Sequence, residues 1–76
     1  MKDLARMADD SIEIQLNGDP RAVRRDLPLT ELLDELGLKA GVLIEYNDRP
    51  LLPKEWPDIR LAAGDRIEII RIVAGG

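Results

Sequence analysis

At 76 residues the chain is one domain at most. Cys and His are both absent, which excludes disulfides, thiolate nucleophiles, imidazole bases and the usual zinc ligands. Asp and Glu outnumber Lys and Arg by 15 to 11, a net charge of −4, which argues against the basic face that a nucleic acid requires. The hydrophobic fraction of 45% comes mostly from Leu, Ile, Val and Ala, so a globular domain with an aliphatic core is expected. No apolar run approaches the roughly 20 residues of a membrane span, and a soluble, cytoplasmic protein is the expectation.

Residues 1–10 (MKDLARMADD) have no apolar stretch and do not resemble a secretory signal; they read as a flexible acidic lead-in. From Ser11 the pattern changes. Ile12, Ile14 and Leu16 alternate with polar residues, which places all three on one face of a half-buried strand. Asn17-Gly18 then marks a tight hairpin, because both residues tolerate positive φ. The return strand runs from about Arg21 to Arg25. Ala22 and Arg24 lie on one of its faces and Val23 on the other, and the pattern leaves open which face is buried.

The period switches at Leu29. Leu29, Leu32, Leu33 and Leu36 form one stripe of a helix of about two turns. Thr30 is the expected N-cap, with Glu31 and Asp34 placing negative charge near the helix N-terminus. Gly37 suits the left-handed position that ends a helix, with Leu38 as the apolar contact beyond it. So short a helix is unstable alone and must dock its leucines on a sheet. Val42, Ile44 and Tyr46 alternate with Leu43 and Glu45 in a third strand, and Asn47-Asp48 makes another turn. Leu51 and Leu52, between Pro50 and Pro53, read as a short edge strand. The segment from Pro53 to Pro57 reads as one irregular or 3₁₀ turn. Ala62 to Asp65 turns into a last strand from Arg66 to about Ile72. Ile67 and Ile69 share one face of that strand, and Glu68, Ile70 and Ile72 share the other.

The order β-β-α-β-β-β implies an α+β roll: a mixed sheet of four to five strands with one main helix packed across it. The ubiquitin-like β-grasp is the matching topology, with the last strand lying parallel to the first. The expected organisation is a lead-in over 1–10, a β-grasp domain over 11–72 and a flexible tail over 73–76.

The sequence stops on Gly75-Gly76 directly after an apolar strand. Without Cβ atoms those two residues make a thin, conformationally free end. Four residues reach about 13 Å when extended, enough to enter a narrow channel in another protein. A terminal carboxylate is a poor acyl donor. It becomes a good one by attacking the α-phosphate of ATP, which gives an acyl-adenylate as pyrophosphate leaves.

Residues 12–76 resemble the ThiS family of sulfur carriers of thiamine biosynthesis. The resemblance rests on the Asn17-Gly18 hairpin, the leucine helix over 29–36, the strand into Asn47, "LLPKEW" (Leu51–Trp56) and "GDRIEIIRIVAGG" (Gly64–Gly76). Ala74 stands where many members carry a third Gly. The related molybdopterin synthase small subunit typically has a Pro-Pro pair shortly before its Gly-Gly end, where this chain has Arg71-Ile72. The resemblance implies that a ThiF-like adenylating enzyme, using ATP and magnesium, activates the Gly76 carboxylate. A persulfide from a cysteine desulfurase route then displaces AMP, and the resulting thiocarboxylate donates sulfur to thiazole synthase, ThiG. On this reading the chain is no enzyme and binds no cofactor or metal itself. Gly76 is the reacting residue and Val73, Ala74 and Gly75 are the tail. The alternatives are a carrier for another pathway, such as the molybdopterin synthase small subunit, and a ubiquitin-like interaction module without thiocarboxylate chemistry.

Leu43, Ile70 and Ile72 fall opposite the core-facing residues of their strands and form a candidate partner face beside Glu45 and Glu68. Arg71, near the tail, is a candidate contact for an acidic group on a partner. Trp56 reads as packing over the end of the core. Arg21, Arg24 and Arg25 read as a solvated strand face, and Asp65 and Arg66 as turn residues. A monomer is the default for a carrier that visits several enzymes, and the net charge suggests basic docking surfaces on those partners.

Overall fold

The computed structural model describes residues 10–38 and 40–72, so the expected lead-in (apart from Asp10) and the tail over 73–76 lie outside the described residues. The elements in chain order are β1 (Ser11–Leu16), β2 (Asp19–Arg24), α1 (Leu29–Glu35), β3 (Val42–Tyr46), β4 (Arg49–Leu51), a 3₁₀ helix (Pro53–Asp58) and β5 (Arg66–Arg71). The sheet order is β2-β1-β5-β3-β4. β1 and β5 run parallel and the other three pairings are antiparallel. This is the β-grasp roll that the element order implied.

Alternation in the strands decides which face is dry. Ile12, Ile14, Val23, Val42, Ile44, Leu51 and Ile67 are buried on one face of the sheet and pack with Leu29, Leu32 and Leu33 of α1. The open question in β2 is settled by register. The two-residue turn pairs Leu16 with Asp19, which sets Val23 opposite Ile12 and puts it on the core face, leaving Ala22 exposed. The same register starts β2 at Asp19, two residues before the expected Arg21.

The two hairpins share one design. Asn17 and Gly18 have φ of 51° and 87°, and Asn47 and Asp48 have φ of 51° and 68°, as type I′ connections require. Each edge strand then places a proline one residue past the pair that closes the turn: Gln15 faces Pro20, and Glu45 faces Pro50. At that position an antiparallel strand points its N–H away from its partner. The missing donors of Pro20 and Pro50 therefore cost no ladder bond, and both sheet edges lose a donor that could template another strand.

The helix departs from expectation at its start. Its N-cap is Pro28, with no side-chain cap, and Thr30 lies inside the first turn. The reason is tertiary. Asp26 donates to the Leu61 carbonyl at 3.2 Å, Leu61 to that of Leu27 at 2.9 Å, and Leu29 to that of Ile59 at 3.0 Å. This extended pairing delivers the chain to Leu29 in position to coil, so Asp34 falls in the last turn and only Glu31 in the first. The helix ends as expected. Gly37 has φ of 74°, its N–H donates to the Asp34 carbonyl at 3.0 Å, and that of Leu38 donates to the Leu33 carbonyl at 2.8 Å. That is a Schellman ending, with Leu38 packed on the core.

At the far edge the short strand is Arg49–Leu51, which includes Pro50 and leaves out Leu52. The 3₁₀ helix after it spans six residues, and Glu55 Oε1 accepts the Leu52 N–H at 2.7 Å at its start. No helix among the described residues is long and apolar enough to cross a membrane.

Candidate functional site

β5 is the strand that leads to the tail, and two turn asparagines hold it. Asn47 donates its N–H to the Arg66 carbonyl at 2.8 Å, and its Oδ1 accepts the Arg66 N–H at 2.8 Å. On the other side β1 pairs with β5 only through Gln15–Arg66 and Leu16–Ile67. Asn17 takes over where β1 turns away. Its N–H donates to the Ile67 carbonyl at 2.8 Å and its Oδ1 accepts the Ile69 N–H at 2.7 Å. The last described residue, Ile72, donates its N–H to the Gly41 carbonyl at 2.8 Å, so the chain is still tied to the sheet where the tail begins.

Asp65 anchors the start of the strand. It is buried, and its Oδ2 accepts from the Tyr46 hydroxyl at 2.6 Å and the Ala62 N–H at 2.8 Å. Its Oδ1 accepts from Asn47 Nδ2 at 3.2 Å. Burial, then the hydrogen bond to Asp65 and its charge, push the Tyr46 hydroxyl up to about 12. Tyr46 is thus a neutral donor at physiological pH. Asp65 serves the turn before β5 through its bond from Ala62, as expected, whereas Arg66 reaches across to Asp48 in the turn between β3 and β4.

The residues assigned to a partner face come together on the outer side of the sheet. Leu43 and Ile70 sit directly opposite one another across β3 and β5. They are 54% and 46% exposed, and Ile72 is 56% exposed. Leu52, at 57%, is the apolar residue that pattern reading passed over. Its signal was its neighbour: Ile44 pairs with Leu51, which is buried, so the next residue turns outward beside Leu43. Arg71 is on the opposite side of its strand and lines a shallow groove with Leu16, Asn17, Leu36, Leu38 and Ile69. It also lines a second hollow with Gly41, Val42 and Ile72, so it borders the row only at Ile72. Val73, Ala74, Gly75 and Gly76 lie outside the described residues.

The arginines of β2 do not form a merely solvated face. Arg24 pairs with Glu31 at 2.9 Å and Arg21 with Glu35 at 3.8 Å, both reaching the acidic side of α1. Trp56 is half-buried against the core, as expected, and its indole nitrogen is buried without a hydrogen-bond partner among the described residues. Among the described residues no acidic cluster is arranged to hold a metal ion.

What the molecule offers is a rigid strand, an apolar row on one sheet face and a glycine-ended sequence beyond them. Comparison with known proteins bears on the family and the fold. The sulfur carrier protein ThiS of Thermus thermophilus is 36% identical over 64 residues, covering 83% of this chain and 98% of that protein. A protein of Trieres chinensis described as uncharacterized, ycf40, is 32% identical over 62 residues, covering 80% of this chain and 85% of its own length. The crystal structure of the thiamine biosynthesis protein ThiS from Geobacter metallireducens superposes with a TM-score of 0.74 at 28% identity, over 86% of this chain and all of that one. Residues 14–76 match the sequence profile of the ThiS family, and the chain belongs to that family.

Proposed function

We propose that the chain is a sulfur carrier of thiamine biosynthesis and that Gly76 is its reacting residue. The observation that carries this reading is a family match extending through Gly76 on a domain whose last strand delivers the chain beside an exposed apolar row. A carboxylate oxygen of Gly76 attacks the α-phosphate of ATP in a ThiF-like adenylating enzyme, which supplies the magnesium, and pyrophosphate leaves. The terminal sulfur of a protein persulfide, formed by a cysteine desulfurase route, attacks the Gly76 carbonyl and AMP leaves. A second thiol then cleaves the sulfur–sulfur bond, taking the other sulfur into a disulfide and releasing the thiocarboxylate. Thiazole synthase takes up that sulfur.

The carrier is a protein cosubstrate in this scheme. It has no need of a general base of its own, which suits a chain without His or Cys. Residues 73–76 act as the tail that enters the partner, and Leu43, Ile70 and Ile72 form the face that docks it. Apolar anchors of this kind, ringed by polar residues, carry most of the energy of an interface.

Intact mass tests the chemistry. After incubation with a ThiF-like enzyme, ATP, magnesium and a persulfide source, one oxygen of the terminus is replaced by sulfur. An unchanged mass, with an enzyme that loads its own carrier in the same mixture, overturns the reading. Growth of a thiamine-requiring strain on a chain lacking Gly75-Gly76 overturns it as well.

A further inference from the structure

Two carboxylates border the apolar row. Glu45 and Glu68 face each other directly across β3 and β5, next to the Leu43–Ile70 pair in the same register. Like charges in directly opposed positions on a sheet are destabilising. Neither carboxylate has a hydrogen-bond or ion-pair partner among the described residues. The nearest cation along the strand, Arg66, is committed to Asp48, and Arg24 and Arg21 are committed to α1. Strand alternation puts Arg71 and Arg49 on the other face of the sheet, with Ile67 and Leu51. Among the described residues, then, two like charges face each other with no ion-pair partner beside the exposed aliphatic surface.

We infer that the Glu45–Glu68 pair is the receptor for an arginine or lysine of the adenylating partner, seated between the two carboxylates while apolar side chains of that partner cover Leu43, Leu52, Ile70 and Ile72. This rests on the sulfur-carrier reading and specifies the chemistry of the surface that receives the carrier. Charge complementarity favours a cationic protein group over a second copy of this chain, because a second copy presents the same two carboxylates and adds to the repulsion. Removing the charges stabilises the free protein and weakens the complex, a combination that a purely structural role lacks.

The test compares wild type, Glu45→Gln with Glu68→Gln, Glu13→Gln and Ile70→Asp, each checked for folding by thermal melting. Carrier-dependent ATP–pyrophosphate exchange by a ThiF-like enzyme is measured across a salt series. The double glutamine variant is expected to melt a few degrees above wild type. Its KM rises about tenfold at low salt with kcat unchanged, and its dependence on salt is shallower than that of wild type. Glu13→Gln, which removes a charge from β1 on the same sheet face, leaves KM unchanged.

A double variant with KM within twofold of wild type and the same salt dependence overturns the inference. If Ile70→Asp raises KM in that experiment, the docking face stands and only the cationic receptor is lost. If folded Ile70→Asp also matches wild type, the docking face falls with it. A wild-type chain that supports no exchange and gains no sulfur overturns the carrier reading itself.

Discussion

Asp65→Asn isolates the node that fixes the start of β5. The substitution keeps the shape of the side chain and removes its charge. The carboxylate accepts three bonds, at 2.6 Å from Tyr46, 2.8 Å from Ala62 and 3.2 Å from Asn47. The two short ones share Oδ2, so the amide oxygen of Asn settles there and keeps both in neutral form. Losing the charge from each lowers its worth by about 0.5–1 kcal/mol. The amide nitrogen then faces the Asn47 amide, donor against donor, at a further cost of about 1–2 kcal/mol. Relief of carboxylate desolvation offsets part of this, leaving a net loss of about 2–3 kcal/mol. For a domain of this size that lowers Tm by about 10–20 °C. Urea titration followed by the fluorescence of Trp56, the single tryptophan, reads the change directly. A loss below about 0.5 kcal/mol would refute the assignment of Asp65 as the anchor of the strand.

Tyr46→Phe tests the same node through pH. The folded protein holds the Tyr46 proton to about 12, against an ordinary value of 10.0. The unfolded chain therefore ionises first, and stability present below about pH 10 is lost between about pH 10 and 12. The difference between wild type and the Phe variant should shrink over that window, and a constant difference counts against the arrangement. Gly37→Ala meets open space but must hold φ of 74°, so the whole cost is conformational: about 1 kcal/mol, read as a Tm lower by about 4–8 °C. Arg24→Ala breaks an ion pair whose side chains are 61% and 53% exposed. It should cost no more than about 1 kcal/mol, and a larger loss in urea titration would show that Arg24 does more than pair.

The residues that could be placed from sequence are those whose signal is local. Ile12, Ile14, Val42, Ile44 and Ile67 announce their face by alternation, and Asn17-Gly18 and Gly37 announce backbone conformations that few other residues adopt. Thr30 misled because the helix start is decided by pairing with residues 59–61, some thirty positions away, which no capping preference records. The partners of Arg21 and Arg24 were hidden for the same reason: Glu31 and Glu35 become neighbours only when α1 crosses the sheet. Leu52 was missed because a three-residue strand is too short to display a period. The proposed tail chemistry rests on sequence and family membership alone, since Gly75 and Gly76 lie outside the described residues.

The arrangement of edges and faces constrains how such a carrier can be recognised. Both edge strands carry a proline where an outward N–H would stand, so backbone pairing offers a partner little at either side of the sheet. One face of the sheet is occupied by α1 and the aliphatic core. The outer face remains, and on it β3 and β5 present Leu43, Ile70 and the two glutamates within one stretch of register. On the proposed reading, recognition runs through side chains, with apolar burial setting affinity and the carboxylates setting orientation and encounter rate. β5 carries part of the proposed docking face and leads toward the tail, with Asn17 and Asn47 bonded to it and Asp65 anchoring its start. Under the proposed function, docking by that face fixes where the tail departs, and four residues, about 13 Å when extended, are enough to span from that point into a neighbouring active site.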